Sequence, residues 1–216
     1  IGLYTLNNRE YIAAIDGTSL ADIFRREGRK VIPREFLGKD WKPYLKRGGD
    51  VRYWREVEEA IDWREEARGN YDIPRCEIFE KEGIVISGVS RRLSARYMPP
   101  GCLWDTNKAM GFVLKDKSLS IWYILGVLNS RLYNFLAKGV LNTTNCLQID
   151  DIRRLPFKYP PKDKRERIEA LVKRIVEKLK ANPFYDYSEE QKEIDELVFE
   201  IYNVPPYLKD RIKGEF

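Results

Sequence analysis

The stretch Ser-Leu-Ser-Ile-Trp-Tyr-Ile-Leu-Gly-Val-Leu-Asn-Ser-Arg-Leu-Tyr-Asn-Phe-Leu-Ala-Lys-Gly, residues 118–139, decides the fold of this chain. Apolar side chains occupy most of its positions, so a helix formed here would be apolar nearly all round. Ser118 stands before the apolar run and Gly139 follows it, and these residue types are typical of helix ends. We therefore predict one helix over residues 118–139 that is buried in the protein core.

Downstream of this stretch, the pattern changes to amphipathic helices. Apolar residues recur at helical spacing in two stripes. They are Ile168, Leu171, Val172, Ile175, Val176 and Leu179, and then Ile194, Leu197, Val198 and Ile201. Asn182-Pro183 ends the first helix, and Ser188 opens the second with Gln191 as the partner in a capping box. The tail is predicted to be an antiparallel helical hairpin that packs on the main domain, on a partner, or on the remainder of a longer chain.

Upstream of the buried helix, residues 71–114 have the composition and turn signals of β-strands. The predicted strands are residues 76–80, 84–88, 93–98, 103–106 and 111–114, with a further candidate at 147–149. Residues 31–70 are rich in loops, with a predicted helix around 55–67. The predicted fold class is α+β: a twisted, mostly antiparallel sheet around a buried helix, followed by a C-terminal amphipathic helical hairpin.

Composition narrows the possible chemistry. The chain has 216 residues, of which 43% are hydrophobic, so a sizeable core can form. It contains no histidine, which excludes histidine-based acid–base catalysis and removes the commonest metal ligand. Cys76, Cys102 and Cys146 are widely spaced, so neither a zinc site nor a disulfide framework is expected, and a reducing cytoplasm fits best. No apolar run is long enough to cross a bilayer.

The surplus of positive charge is confined to one part of the chain. Residues 1–160 carry 27 basic and 21 acidic side chains, whereas residues 161–216 carry 12 and 13. A solvated basic surface is one interpretation of this surplus, and binding to a polyanion is the other. Because the chain begins at Ile1 without a methionine, we also expect it to be a piece of a longer protein whose catalytic parts lie elsewhere.

Residues 39–55 combine cations with aromatic side chains around the pair Gly48-Gly49. Cations can hold phosphates, and aromatic rings can pack on sugars or bases. Alternatively, the aromatic residues belong to the core and the cations surround them. The candidate DNA contacts in this stretch are Lys39, Lys42, Lys46, Arg47 and Arg52.

Two further groups could contact DNA, together with Lys108. Arg91, Arg92 and Arg96 lie on the predicted strands, and an arginine can either read guanine with a bidentate fork or form an internal salt bridge. Asn142, Thr143, Asn145 and Gln148 follow the buried helix. Uncharged polar side chains suit base edges, but they also suit ordinary turns.

Two weaker patterns lie in the tail. Asn182-Pro183-Phe184-Tyr185 is similar to the Asn-Pro-Pro-Tyr motif of amino-methyltransferases, but it lacks the second proline and a preceding strand, so we interpret it as a helix terminator. Asp186, Glu190 and Lys192 weakly suggest a metal-dependent nuclease. Acidic residues at a helix start are also favoured by the helix dipole, and no catalytic or metal-binding residue is assigned.

Four segments in the same order resemble a known family. They are Ser94-Ala95-Arg96-Tyr97 with Pro100-Gly101 and Asp105; Ile124-Leu-Gly-Val-Leu-Asn-Ser130; Leu147-Gln-Ile-Asp-Asp-Ile152 with Leu155-Pro156; and Ile194-Asp-Glu-Leu-Val-Phe199 with Ile201-Tyr202. Together with the Trp and Gly-Gly pattern of residues 39–63, they resemble the TaqI-like C-terminal specificity domain. That domain occurs in type IIG restriction–modification enzymes and in related phage-defence adenine methylases.

This resemblance implies a DNA target recognition domain, residues 1–160, with residues 161–216 as a spacer or brace. It implies double-stranded DNA and an upstream methyltransferase domain as partners. That upstream domain would bind S-adenosylmethionine and methylate adenine N6, and some such proteins also carry a restriction endonuclease. The fragment would not be catalytic alone and would hold no cofactor. The alternative is a protein-interaction or dimerisation module that acts through the helical tail.

Overall fold

The computed structural model describes residues 9–73, 77–106, 108–116 and 118–215, so Cys76 lies outside the described residues. The strands are β1 (Ile12–Ile15), β2 (Val31–Ile32), β3 (Trp41–Leu45), β4 (Glu59–Asp62), β5 (Gly83–Ser87), β6 (Ala95–Met98), β7 (Leu103–Trp104) and β8 (Ala109–Phe112). The α-helices are α1 (Ser19–Arg26), α2 (Glu65–Arg68), α3 (Ile121–Leu128), α4 (Arg131–Asn134), α5 (Ile149–Arg153), α6 (Lys162–Ala181), α7 (Ser188–Ile201) and α8 (Pro206–Glu215). The α+β class is confirmed.

Contacts divide the chain into two compact units, each assembled from separate segments. Unit 1 takes its described residues from 1–47, 56–83 and 98–113, and unit 2 from 48–55, 84–97 and 114–216. The helical tail and the apolar helix α3 therefore belong to the same unit. The functional boundary predicted at residue 160 stays a prediction, because packing does not report which part of a chain binds a ligand.

Unit 1 is built on a five-stranded sheet in the order β2-β1-β4-β3-β7. β4 pairs antiparallel with both β1 and β3, whereas β2 and β7 join in parallel. β1 and β4 are buried along their whole length. One face packs on Leu20 and Phe24 of α1 and on an aromatic cluster that includes Tyr44 and Tyr71, and the other face packs on Ile32 and Trp41. These buried apolar faces stabilise the unit.

Unit 2 is centred on α3, which packs against α6 and α7 of the helical hairpin. α3 is buried over Tyr123 and Leu125–Leu128, as the apolar run predicted. A Cβ at Gly126 would lie 2.6 Å from a methyl carbon of Ile168 and 3.0 Å from one of Val172. Only glycine therefore permits this approach of α3 to α6. The two hairpin helices bury the apolar stripes predicted from their spacing.

The predicted helix 118–139 is interrupted. Ser120, not Ser118, caps α3 by accepting a hydrogen bond from the Trp122 N–H at 3.2 Å. α3 ends at Leu128, because the Asn129 side chain bonds to β6 and the hydroxyl of Ser130 accepts from the Tyr133 N–H to start α4. The chain then continues as a π-helical segment, Phe135–Leu141.

Three other local predictions were wrong. Residues 77–80 form turns instead of a strand, since Glu80 has a φ of +64°. Residues 59–62 form β4 instead of a helix, because pairing on both edges overrides the helical propensity of Glu and Ala. Residues 147–149 are not a strand, because α5 begins at Ile149.

The capping box predicted for α7 is absent, because Gln191 is buried and bonds to Tyr53 instead. The helix α8 was not predicted from the sequence.

No helix in the described residues combines the length and the apolar character needed to cross a membrane.

Candidate nucleic-acid interface

Three loops of unit 2 are bonded to one another, and we call them together the three-loop surface. They are residues 48–52, 88–92 and 142–148. The Gly49 N–H donates to the Val89 carbonyl at 3.1 Å, the Ser90 N–H to the Asn145 carbonyl at 3.0 Å, and the Leu147 N–H to the Gly88 carbonyl at 2.8 Å. Backbone bonds of this kind hold loops in a fixed arrangement. Three stretches that are far apart in the sequence thus form one surface.

Asp50 fixes the position of the arginines on this surface. One carboxylate oxygen accepts from the backbone N–H groups of Arg91 and Arg92 at 2.8 and 3.3 Å, and the other faces Nε of Arg91 at 3.2 Å. Burial acts to raise the pKa of Asp50, but these hydrogen bonds outweigh it and lower the pKa below its usual value. The Arg91 side chain is 85% exposed, so its guanidinium is oriented and still faces solvent.

The buried side chain of Lys138 links two of the three loops. It lies in the π-helical segment and is buried, and its ammonium donates to the carbonyl of Ser90 at 2.8 Å and to that of Thr144 at 3.0 Å. Burial lowers the pKa of Lys138, because removal from water disfavours the charged form. π-helical segments are frequent at functional sites. Here the segment supplies the cation that holds the loops together.

Asn142 shapes the polar loop. Its amide nitrogen donates to the Cys146 carbonyl and to the Asp151 carboxylate, while its amide oxygen accepts from the Thr144 N–H at 3.0 Å. The amide of Asn142 is the main cause of the lowered pKa of Asp151. Thr143, Asn145 and Gln148 are exposed instead. Thr143 and Asn145 can reach a ligand while Asn142 keeps the loop in shape, and Gln148 also forms a capping box with Asp151 at the start of α5.

Two predicted arginines have internal partners. Arg96 is buried in β6, only 3% exposed, and burial lowers its pKa to about 10. From that position its guanidinium cannot reach a DNA groove, so we leave it out of the interface. Arg52 is half-buried and donates to the Asn129 carbonyl at 3.2 Å. Its guanidinium lies 5.6 Å from the centroid of the Tyr187 ring.

The remaining basic candidates belong to unit 1. Lys39 and Lys108 are exposed, whereas Lys42 pairs with Glu80 at 2.9 Å. Burial lowers the pKa of Lys46, and Arg47 lies 3.5 Å from the Glu59 carboxylate. Trp41 and Tyr44 of the basic–aromatic stretch are buried in the core. In the first half of residues 39–55, the aromatic side chains therefore belong to the core and the cations surround them, which was the alternative interpretation of this stretch.

The tail residues with possible chemistry are engaged locally. Asp186 accepts from Ser188, and Glu190 accepts from the Tyr185 hydroxyl at 2.6 Å and pairs with Arg174. No group of three or more potential metal ligands occurs among the residues that the structure describes. Asn182 ends α6 and accepts from the Phe184 N–H at 3.0 Å, as expected of a helix terminator.

A buried polar chain, which the sequence did not indicate, lies beside Arg52. The Tyr53 hydroxyl donates to the Gln191 amide oxygen at 2.7 Å, and the Gln191 amide nitrogen donates to Asp195 at 3.0 Å. Asp195 also accepts from the Arg131 N–H at 2.8 Å, and its second oxygen lies 3.4 Å from Nε of Arg131. Burial is the main cause that raises the pKa of Asp195, to about 6, against the opposing effect of these donors.

The raised pKa of Asp195 gives a testable pH dependence. Between about pH 4 and pH 6, the folded protein keeps a proton on Asp195 that the unfolded chain has lost. Asp195 therefore lowers the free energy of unfolding progressively over this range, and by the full amount above it. In Asp195→Asn this cost disappears. The difference in free energy of unfolding between this variant and the unmodified protein should therefore grow by about 2 kcal/mol from pH 4 to pH 7, in favour of the variant.

Urea denaturation at several pH values measures that difference. Asp186→Asn is the matched control, because hydrogen bonds from Ser188 lower the pKa of Asp186 and its contribution has the opposite sign. A difference between Asp195→Asn and the unmodified protein that is constant from pH 4 to pH 7 would show that folding does not raise the pKa of Asp195.

Comparison with known proteins gives two matches. The family model of the TaqI-like C-terminal specificity domain matches residues 36–157, a segment that contains the whole three-loop surface. The adenine-specific methyltransferase BrxX of Escherichia coli O9:H4 (strain HS) is 30% identical over 182 residues. The alignment covers 79% of this chain and 14% of that protein, so the chain spans about a seventh of the length of this relative.

Proposed function

The chain belongs to the TaqI-like C-terminal specificity domain family, and from this premise we propose that it recognises the sequence of double-stranded DNA for an N6-adenine methyltransferase. The catalytic domain would lie in the same parent protein, outside these residues. The coarser assignment, a specificity domain of the restriction–modification type, follows from the family. DNA recognition and adenine specificity are the parts that we propose.

The observation that carries the proposal is the three-loop surface. It presents an oriented, 85% exposed arginine beside a second exposed arginine and three exposed uncharged polar side chains. Arginine can form two parallel hydrogen bonds with guanine, and asparagine and glutamine suit adenine in the same way. Val89 is 47% exposed on the same surface and offers an apolar contact for a thymine methyl group. Such a mixture suits sequence reading better than uniform phosphate binding.

There is also a physical reason for DNA recognition and methyl transfer to lie in separate domains. Methylation of adenine N6 requires the base to leave the duplex and enter a closed pocket, which would belong to the catalytic domain together with S-adenosylmethionine. A separate domain can meanwhile hold the unbroken duplex and read neighbouring base pairs. We place this activity in the cytoplasm, as part of the restriction or defence system of the host cell.

Selection from a random duplex library tests the proposal without knowledge of the target site. We expect the chain to enrich one short sequence motif. Its affinity for DNA should also fall with increasing salt, with a slope of about −0.9 in log–log form for each phosphate contacted. A slope near zero together with no enriched motif would contradict the proposal. Enrichment in the parent protein only would place recognition in another domain.

One observation favours a second function, a protein-interaction module. Phe184, at the turn between α6 and α7, is 93% exposed, and Tyr207 on α8 is 76% exposed. Aromatic side chains are enriched at protein interfaces. Light scattering distinguishes the two functions, because a stable dimer that ignores DNA would support an interaction module and a DNA-binding monomer would not.

A further inference from the structure

Unit 2 contains a cavity of about 400 Å³ that adjoins the three-loop surface, since Arg52 and Arg92 belong to both. Four cations line this cavity, Arg52, Arg92, Arg131 and Lys192, together with two carboxylates, Asp186 and Asp195. Its volume lies within the range of small-ligand sites in proteins. The first turn of α7, at Ser188, also lines it.

The two arginines of the inner wall are held by the protein itself. Arg52 bonds to the Asn129 carbonyl and lies against Tyr187, and Arg131 donates to the Lys213 carbonyl at 3.0 Å. An arginine that is already oriented loses little side-chain entropy when it binds an anion. Both arginines are therefore held in position to bind an anion instead of moving freely in solvent.

The carboxylates do not neutralise the cavity. Asp195 is only 3% exposed and is already engaged by the backbone and side chain of Arg131. Asp186 is engaged by Ser188. Because Arg131 pairs with Asp195 and Lys192 pairs with Glu189 at 2.6 Å, the positive charge comes mainly from Arg52 and Arg92, and the amino-terminal end of α7 adds a partial positive charge. The cavity is therefore electropositive.

We propose that this cavity binds a phosphate group. Arginine side chains match the geometry of phosphate oxygens with paired N–H donors, and the half-buried Tyr187 supplies an apolar wall for an attached sugar. The phosphate can belong to a DNA strand, in which case the inference rests on the proposed function, or to a free phosphate ester. A contact to a DNA phosphate would set the register of the duplex on the neighbouring loops.

Titration with inorganic phosphate and with deoxyadenosine monophosphate, followed by NMR at low ionic strength, tests the cavity directly. We expect saturable binding with a dissociation constant of about 1 mM or tighter. Arg52→Gln should weaken binding about tenfold, since hydrogen bonds to charged groups are strong. Lys192→Gln should weaken it about twofold, because its ammonium is largely exposed.

Arg167→Gln is the matched control, because Arg167 is an exposed arginine of α6 that pairs with Glu193 outside the cavity. Lys192→Gln removes no internal contact of the core, so it keeps the test valid if Arg52→Gln fails to fold. Equal phosphate affinity in the unmodified protein and in all three variants would overturn the proposal. Absence of saturable binding below about 10 mM would do the same.

Binding to duplex DNA in the same variants identifies the source of the phosphate. If the cavity holds a DNA phosphate, Arg52→Gln should reduce the salt slope by about one unit. If it holds a free ester, the slope should stay unchanged and deoxyadenosine monophosphate should bind more tightly than inorganic phosphate. Phosphate binding without DNA binding would contradict the proposed function alone, and DNA binding without phosphate binding would contradict the cavity alone.

Discussion

Replacing Asn129 with alanine should lower the free energy of unfolding by about 2 to 4 kcal/mol, the largest effect that we expect of any single substitution here. The side chain is buried, and its amide acts as a neighbouring strand would. Its oxygen accepts from the Ala95 N–H at 3.0 Å and its nitrogen donates to the Ala95 carbonyl at 2.9 Å. Without it, the buried N–H of Ala95 would lose its partner, at a cost of about 1 to 3 kcal/mol. The Ala95 carbonyl would keep only the hydrogen bond from the Tyr53 N–H at 2.8 Å, a further loss of about 1 kcal/mol.

Urea denaturation measures this loss, with Asn182→Ala as the matched control. Asn182 is exposed and bonds only within its own turn, so its replacement should cost less than about 1 kcal/mol. Equal losses in the two variants would mean that the Ala95 backbone finds water or another partner, and that Asn129 does not fix β6 to the end of α3.

The double variant Arg91→Ala with Arg92→Ala should lose DNA affinity by about a hundredfold and lose its preference for the selected sequence. Each base contact of this kind contributes about 1 to 3 kcal/mol of discrimination. Both side chains are exposed, so the fold should remain unchanged. Competition binding between the selected duplex and a scrambled duplex of the same length measures both losses.

Arg91→Lys separates reading from charge. The variant keeps the cation but loses the planar fork, so affinity for scrambled DNA should be retained while discrimination falls. Arg167→Ala, which removes an exposed and paired arginine of α6, is the control for net charge. Normal discrimination by Arg91→Lys would mean that Arg91 contacts only phosphate. Normal binding by the double variant would remove this surface from the proposed function.

Periodic features of the sequence predicted the helices of unit 2 well. The stripes of α6 and α7 follow from spacing alone, and α3 follows from its apolar content. The break after α3 could not be predicted in the same way. It depends on Asn129 meeting a strand more than 30 positions away, and a helical pattern does not report such a long-range contact. The same reason explains why β4 was taken for a helix.

The candidate interface was predicted in part. Arg91, Arg92 and the loop from Asn142 to Gln148 were recognised by residue type, and the structure gathers them on one surface. Asp50 and Lys138, which organise that surface, were missed. A signal for Lys138 was present, because a lysine inside an otherwise apolar helical run has to find partners when it is buried. Asp50 gave no comparable signal, since an acidic residue after two glycines is ordinary in a turn.

The interleaving of the two units has a consequence for engineering. Unit 2 receives residues 48–55 and 84–97 from within the stretch that otherwise forms unit 1. A chimera made at a single crossover point inside residues 48–113 would join half-units from different parents and leave both hydrophobic cores mismatched. Under the proposed function, new target preferences are therefore better installed by transplanting the tips of individual loops than by exchanging contiguous blocks.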